Sequence, residues 1–306
     1  MDTIKNYFLA LRPKQWVKNL LVYGFLFFNR DLYNLHDFLI TTYTFIIFIF
    51  VSSSIYLIND IVDYKRDKLH PIKKSRPIAA GKIERTPALI FSIILFLIGF
   101  IWAAYLSEYL ALIYIIYYVL FVVYSIYLKN ILIIDSLTTA SGFVLRVLAG
   151  GVVIASFINS WFVIFIICAS LFIAFGKRRA EITMMSFKNA VIHRGVLLKY
   201  PKEFLDNLIS MSAAVTFLSY ILFSYNEDIN SKTPTVLSSV LPSHLKNPHW
   251  VKLTIPIAFY ILARYMYNIY VKKTADTPET IWIKDKSLLA SILVYILVSF
   301  IVLYVV

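Results

Sequence analysis

The sequence predicts an all-α polytopic membrane protein, a bundle of nine transmembrane helices with its N-terminus in the cytoplasm and its C-terminus outside. Three observations lead there. Of the 306 residues, 60% are hydrophobic and 15% charged, whereas a soluble domain carries about 25% charged residues. The apolar residues fall in unbroken runs, such as 39–58 and 287–306, that reach the roughly 20 residues needed to cross a bilayer core. Lys and Arg sort to one side once those runs are taken as spans.

Runs bounded by charges or prolines give spans at 14–29, 38–58, 87–106, 110–128, 132–154, 159–176, 207–224, 250–271 and 287–305. No small-residue cleavage site follows the first, which therefore reads as a span and not as a removable signal peptide. The segments 1–18, 59–86, 128–131, 177–206 and 272–286 then face the cytoplasm and hold 24 of the 30 basic residues, against four in the outer segments and their flanks. The net charge of +13 is thus a topology signal first, and nucleic-acid binding is excluded. A single cysteine, Cys168, excludes a disulfide framework and a zinc ribbon. The whole chain, 1–306, reads as one membrane domain. Its longest outer stretch without a span is 225–249, with Pro234, Pro242 and Pro248. Trp16, Trp102, Trp161, Trp250 and Trp282 lie near span ends, where indole rings settle at the interface. Tyr117, Tyr118 and Tyr127 are expected in the same aromatic belt.

After the second span comes Tyr56-Leu-Ile-Asn-Asp-Ile-Val-Asp-Tyr-Lys-Arg-Asp67. At about 100° per residue, Asp60, Asp63 and Asp67 project within roughly 60° of one another, with Asn59 on the flank. Carboxylates converging in this way suit Mg²⁺, which takes one or two of them and completes its shell with water and substrate phosphates. Asp60, Asp63 and Asp67 are therefore candidate metal ligands and catalytic residues. The alternative is a solvated helix end paired with Lys65, Arg66 and Lys68, but polar groups entering a span are costly and usually functional. The loop that follows carries Lys73, Lys74 and Arg76, candidate ligands for a phosphate held beside the metal; plain cytoplasmic charge is their other reading. His70 reads as a loop residue and not as a base.

In the fifth span Asp135, Thr138, Thr139, Gly142 and Arg146 form one polar stripe. Asp135 and Arg146 are about 16 Å apart along the helix, too far to pair directly. Either the stripe lines a cavity facing the acidic motif, with Asp135 catalytic at its mouth and Arg146 binding substrate, or both residues pair with polar groups on neighbouring helices. In the eighth span Tyr260, Arg264 and Tyr267 recur at helical spacing; Arg264 is a candidate substrate ligand or a structural arginine stacked between tyrosines. Lys14 and Lys18, one turn apart, are candidate lipid-phosphate ligands or topology charges.

Five blocks carry a resemblance: Leu11-Arg-Pro-Lys-Gln-Trp-Val-Lys-Asn19, the Asn59 to Asp67 motif, Arg76-Pro-Ile-Ala-Ala-Gly81, Gly142-Phe-Val-Leu-Arg-Val-Leu-Ala-Gly150 and Gly176-Lys-Arg-Arg-Ala-Glu181, with a weaker one at Arg264-Tyr-Met-Tyr267 and Pro278-Glu279. Together they resemble the UbiA-type intramembrane prenyltransferases and, within that superfamily, the polyprenyl-phosphate phosphoribosyltransferases. The resemblance implies Mg²⁺ and a diphosphate on the first acidic motif, and an anion-binding role for Tyr124 and Lys129, otherwise an aromatic-belt tyrosine and a snorkelling lysine. Where aromatic prenyltransferases of the superfamily carry a second acidic motif, this chain reads Lys177-Arg-Arg-Ala-Glu181, which favours direct capture of an anion. Lys177, Arg178 and Glu181 match the phosphoribosyltransferase pattern; Arg179 is not carried over. The expected reaction is Mg²⁺-dependent transfer of 5-phosphoribosyl from phosphoribosyl pyrophosphate to a membrane-embedded polyprenyl phosphate, an early step in making lipid-linked pentose for cell-envelope polysaccharide. Joining a polyprenyl diphosphate to an aromatic acceptor is the first rival and a non-enzymatic transporter the second. A homo-oligomer is compatible with the sequence.

Overall fold

The computed structural model describes residues 2–70, 73–156, 159–184, 199–226, 249–272 and 285–305. The stretch 227–248 with its three prolines, and Pro278, Glu279 and Trp282, lie outside the described residues. The chain divides into two compact units, Met1–Phe157 with Met185–Tyr200, and Ile158–Met184 with Pro201–Val306; each is taken by itself.

The first unit opens with α1 (Asp2–Ala10), a 3-10 helix (Pro13–Tyr23) and the short α2 (Gly24–Phe28). It continues with α3 (Leu35–Val62), α4 (Tyr64–Leu69), α5 (Arg85–Leu106), α6 (Glu108–Ile126) and α7 (Ile134–Val153). Asn34 starts α3 by accepting from the amides of His36 and Asp37, a side-chain cap for donors the first turn leaves unpaired. Ser107, held extended, ends α5 and caps α6 by accepting from the Leu110 amide. The long α3 lies at the centre, packed on α5, α6 and the 3-10 helix, while α7 packs on the 3-10 helix and α6. Val22, Ile47, Phe48, Val51, Leu110, Tyr114 and Ala149 make its core. Where α3 meets α5, Ser54 and Ser92 each donate a hydroxyl to the other's carbonyl at 2.9 and 3.0 Å, the small polar seam by which helices associate in lipid. The other face of α5 exposes Ile90, Ile93, Ile94, Leu97, Ile98 and Ile101, as expected of a surface turned to lipid.

The second unit pairs α8 (Ser160–Met184) with α9 (Lys202–Asn226) along their lengths. It is completed by α10 (Ile255–Tyr267), α11 (Lys286–Phe300) and short 3-10 and π turns. A buried hydroxyl chain runs from Tyr295 to Tyr220, whose oxygen lies beside that of Thr254.

Among the described residues seven helices are long and apolar enough to cross a membrane: α3, α5, α6, α7, α8, α9 and the last, Lys286–Val305. The chain is therefore a multi-pass α-helical membrane protein. The other two expected spans are not single α-helices. The first is the 3-10 helix followed by α2; at about 2.0 Å per residue, with 1.5 Å per residue for α2, they cover roughly 30 Å between them. The eighth is a 3-10 turn (His249–Thr254), the 13-residue α10 and a π turn (Asn268–Lys272). The first span's backbone lies so close to α7 that a Cβ on Gly150 would stand 1.8 Å from the Val22 carbonyl oxygen, so only glycine fits there. Tyr117, expected in the aromatic belt, is instead buried; it faces the core because its hydroxyl answers a buried arginine, described below.

Candidate active site

The acidic motif wraps around a break between two helices instead of continuing along one face. Asp60 sits on the last turn of α3, Asp63 is the hinge residue at φ −86°, ψ 4°, and Asp67 lies in α4. All three are buried, and each carboxylate is met by a basic side chain from elsewhere in the unit. Arg76 places one nitrogen 2.9 Å from Asp60 Oδ1 and 2.6 Å from Asp67 Oδ2, bridging the two. Arg12 donates to the same Asp60 oxygen and stacks on the Tyr56 ring, its guanidinium carbon 4.9 Å from the centroid. Lys129, only 2% exposed, donates to Asp63 Oδ1 at 2.6 Å, and Arg66 lies 3.7 Å from that oxygen at the surface. Burial pushes the Asp67 carboxyl above its ordinary pKa, while Arg76 and then Lys73 pull it down.

Among the described residues no three His, Cys, Asp or Glu side chains are already gathered as a metal cluster, since a guanidinium stands between Asp60 and Asp67. The donor set nevertheless suits Mg²⁺. It is all carboxylate oxygen, it is buried, and Mg²⁺ needs only one or two such ligands when phosphates complete its shell.

The structure thus brings together Asp60, Asp63, Asp67, Arg76 and Lys129 from the expected set, with Lys73 near enough to act on Asp67 through space. Asn59 is half-buried one residue before Asp60, Lys14 and Lys74 are exposed, and Lys18 is half-buried. Tyr124 packs edge-on against Phe121 at 5.9 Å. Arg12 is the member that sequence reasoning missed. It lies in the Leu11–Asn19 block, beside Pro13, but only the lysines of that block stand at helical spacing, and nothing local points to Asp60, 48 residues away.

Arg146 meets neutral partners on neighbouring elements. Its Nε donates to Asn19 Oδ1 at 2.8 Å, one terminal nitrogen to the Gly142 carbonyl at 2.7 Å and the other to the Tyr117 hydroxyl at 2.6 Å. Thr138 and Thr139 return their hydroxyls to carbonyls one turn back. Arg146 is thus paired with polar groups of the first span, α6 and its own helix. Asp135, fully buried, accepts at Oδ1 from Tyr200 at 2.6 Å and from Ser136 at 3.3 Å. The Tyr200 oxygen accepts in turn from the Ile133 amide at 2.7 Å. Ile133 has φ 68° and ψ −46°, and the Ile134 amide reaches the Leu132 carbonyl at 2.8 Å. That is a γ-turn of the strained hand, rare for a β-branched residue and costing of order 1–3 kcal/mol. Burial first, and the hydrogen bond to Asp135 next, push the Tyr200 phenol up to about 12, so it is a donor throughout the working range.

In the second unit Arg178, buried, pairs with Glu181 at 2.7 Å, with the half-buried Lys177 beside it. Arg179 pairs with Asp206 at 2.7 Å. Arg264 pairs with Asp285 at 3.1 Å and lies over Tyr267, its guanidinium carbon 5.0 Å from the centroid, while Asp285 also accepts from the Leu288 amide to start α11.

Residues 23–192 match the UbiA prenyltransferase family, a stretch that holds every member of the acidic cluster except Arg12. The chain belongs to that family. It is similar to decaprenyl-phosphate phosphoribosyltransferase of Mycolicibacterium smegmatis, 31% identical over 91% of this chain and 86% of the relative. It is also similar to the protein of the same name from Corynebacterium glutamicum, 35% identical over 71% of this chain and 66% of the relative. Among solved structures, a UbiA homolog of Archaeoglobus fulgidus bound to GPP and Mg²⁺ shares the fold at a TM-score of 0.69 with 17% identity, over 97% of this chain and 99% of that one. This UbiA-family protein is an enzyme, a transferase embedded in a membrane.

Proposed function

We propose that this UbiA-family chain transfers the 5-phosphoribosyl group of phosphoribosyl pyrophosphate to a polyprenyl phosphate, releasing pyrophosphate, at a site facing the cytoplasm. The observation that carries the reading is the charge composition of the cluster: three buried carboxylates closed by Arg12, Arg76 and Lys129, a set that suits anionic phosphates better than a neutral aromatic ring. The relatives named above, phosphoribosyltransferases by name, support the same substrate class.

Asp60, Asp63 and Asp67 would hold Mg²⁺, which supplies positive charge against the departing pyrophosphate. Arg12, Arg76 and Lys129, which pair with those carboxylates here, would then donate to phosphate oxygens, where charge-assisted hydrogen bonds are strongest. The C1–O bond to pyrophosphate breaks as a lipid-phosphate oxygen bonds to C1 with inversion. That oxygen is already ionised, so the chain has only to position it, and no side chain is needed as a base. Lys14 and Lys18 at the start of the first span, and Lys73 and Lys74 in the loop, are assigned to phosphate capture. In the second unit Lys177 and Arg178 are assigned to an anion by the same charge argument.

The test is purified enzyme with Mg²⁺, labelled phosphoribosyl pyrophosphate and polyprenyl phosphate, beside a parallel reaction with polyprenyl diphosphate and an aromatic acid. Lipid-linked label in the first reaction, lost in Asp63→Asn, is the expected result. Product only in the parallel reaction would replace this reading with prenyl transfer to an aromatic acceptor, the chemistry for which the family is named.

A further inference from the structure

The strained turn at Ile133 sits four residues after Lys129 and two before Asp135, and nothing in the transfer chemistry calls for it. We propose that Tyr200 is a positioning residue whose hydroxyl, accepting from the Ile133 amide and donating to Asp135, clamps the turn that holds Lys129 on Asp63. This rests on the assignment of the Lys129–Asp63 pair to the active site.

Lys129 is carried on a 3-10 turn, Leu128–Asn130, that follows α6. From there Ile131 runs extended at φ −103°, ψ 127°, and the γ-turn centred on Ile133 folds the backbone into α7. A β-branched residue does not hold positive φ unaided, so the turn needs a tie from outside its own segment. Tyr200 supplies it from 67 positions away, through two bonds of 2.7 and 2.6 Å on one oxygen, with the residue 4% exposed. Ser136 lies 3.4 Å from the same oxygen. Release of the turn lets the backbone behind Lys129 relax, and a shift of about 1 Å is enough to take Nζ out of hydrogen-bond range of Asp63. Misplacements of that size in a site are felt strongly in rate. The Tyr200 hydroxyl meets Ile133, Asp135 and Ser136, and its proposed effect reaches Lys129 through the turn.

The experiment uses full-length protein carrying Tyr200→Phe, Ile133→Gly, both together, and Tyr200→Phe combined with Lys129→Met. One readout needs no turnover: reductive methylation of lysine amines followed by mass spectrometry, with Lys252 as internal reference. In Tyr200→Phe, methylation of Lys129 rises about tenfold against Lys252, and kcat falls about tenfold, the scale on which a buried donor left without its acceptor is felt. KM stays within about twofold. Glycine takes positive φ without strain, so the double variant with Ile133→Gly restores both the protection of Lys129 and kcat. In the Lys129→Met background Tyr200→Phe adds nothing, as expected of two residues acting in series. Unchanged protection of Lys129 in Tyr200→Phe, no rescue by glycine, or a further loss on top of Lys129→Met would each overturn the clamp. If Tyr200→Phe does not fold, a double variant that folds supports it and one that fails as well overturns it. Wild-type protein with Lys129 protected but no phosphoribosyl transfer would refute the proposed function and leave the clamp standing.

Discussion

Replacing Arg76 with Met tests whether the basic side chains of the cluster hold the place of a metal. Arg76 bridges Asp60 and Asp67 through one nitrogen, and both carboxylates have side chains only 3% exposed. Breaking a buried ion pair by removing one partner costs about 3–5 kcal/mol. Arg12 remains on Asp60, and the Arg76 side chain is 23% exposed, so we expect a cost below that range, about 2 kcal/mol. For a chain of this size that lowers Tm by roughly 3 °C. The sign with pH follows from Asp67, whose carboxyl burial pushes up and Arg76 pulls down. Without the guanidinium its folded-state pKa rises further above the unfolded one, so the variant holds its stability at low pH, where Asp67 is protonated, and loses it as pH rises through the raised value. Mg²⁺ restores the missing charge, so at neutral pH the variant gains more Tm from Mg²⁺ alone than the wild type does, while kcat/KM for transfer falls because a phosphate ligand is gone. Differential scanning fluorimetry in detergent, with and without Mg²⁺ across pH 4–8, reads all of this. A variant as stable as the wild type without Mg²⁺, or one stabilised by Mg²⁺ no more than the wild type, would refute the reasoning.

The other predictions concern neighbouring contacts. Lys129→Met leaves a buried Asp63 carboxylate without its donor and should cost about 3 kcal/mol, together with a large loss of kcat/KM; thermal melts and the transfer assay read both. Gly150→Ala drives a methyl group into the Val22 carbonyl 1.8 Å away and should destabilise by about 1–3 kcal/mol, visible as a lower Tm. Arg146→Ala leaves Asn19 and Tyr117 unanswered and opens a cavity. We expect at least 2 kcal/mol lost, with Arg146→Lys recovering only part of it, because one ammonium cannot meet three acceptors placed for a planar fork.

Much of the fold was legible because hydropathy reads directly as burial in lipid: the runs at 38–58, 87–106 and 132–154 correspond to α3, α5 and α7. The first and eighth spans were legible as apolar segments but not as broken helices, since an apolar run does not report whether the backbone inside it turns every 3.0 or 3.6 residues. In the site, the carboxylates at 60, 63 and 67 could be read from local spacing, although the helix break at Asp63 could not. Their counter-charges could not be read in full. Arg76 lies in the next loop, but Arg12 and Lys129 reach the cluster across 48 and 66 positions, and no spacing rule links such residues. Tyr117, at the middle of α6, and Tyr200 were hidden for a related reason, since a tyrosine in or beside an apolar run looks alike whether its hydroxyl faces the headgroups or a buried donor.

The arginine of α7 bears on how the protein is made. Among the seven apolar helices α7 has the lowest hydropathy, 1.4, and an Arg near the centre of a span opposes entry into the bilayer by about 2.5–3.5 kcal/mol. All of its partners outside α7 are synthesised before it: Asn19 in the first apolar segment and Tyr117 in α6. When α7 leaves the ribosome the acceptors for its guanidinium are already in place, so partitioning and docking of this helix become one event. A chain in which α7 preceded those segments would have to insert an unaccompanied charge, which gives the order of the helices along the gene a physical reason separate from the chemistry they enclose.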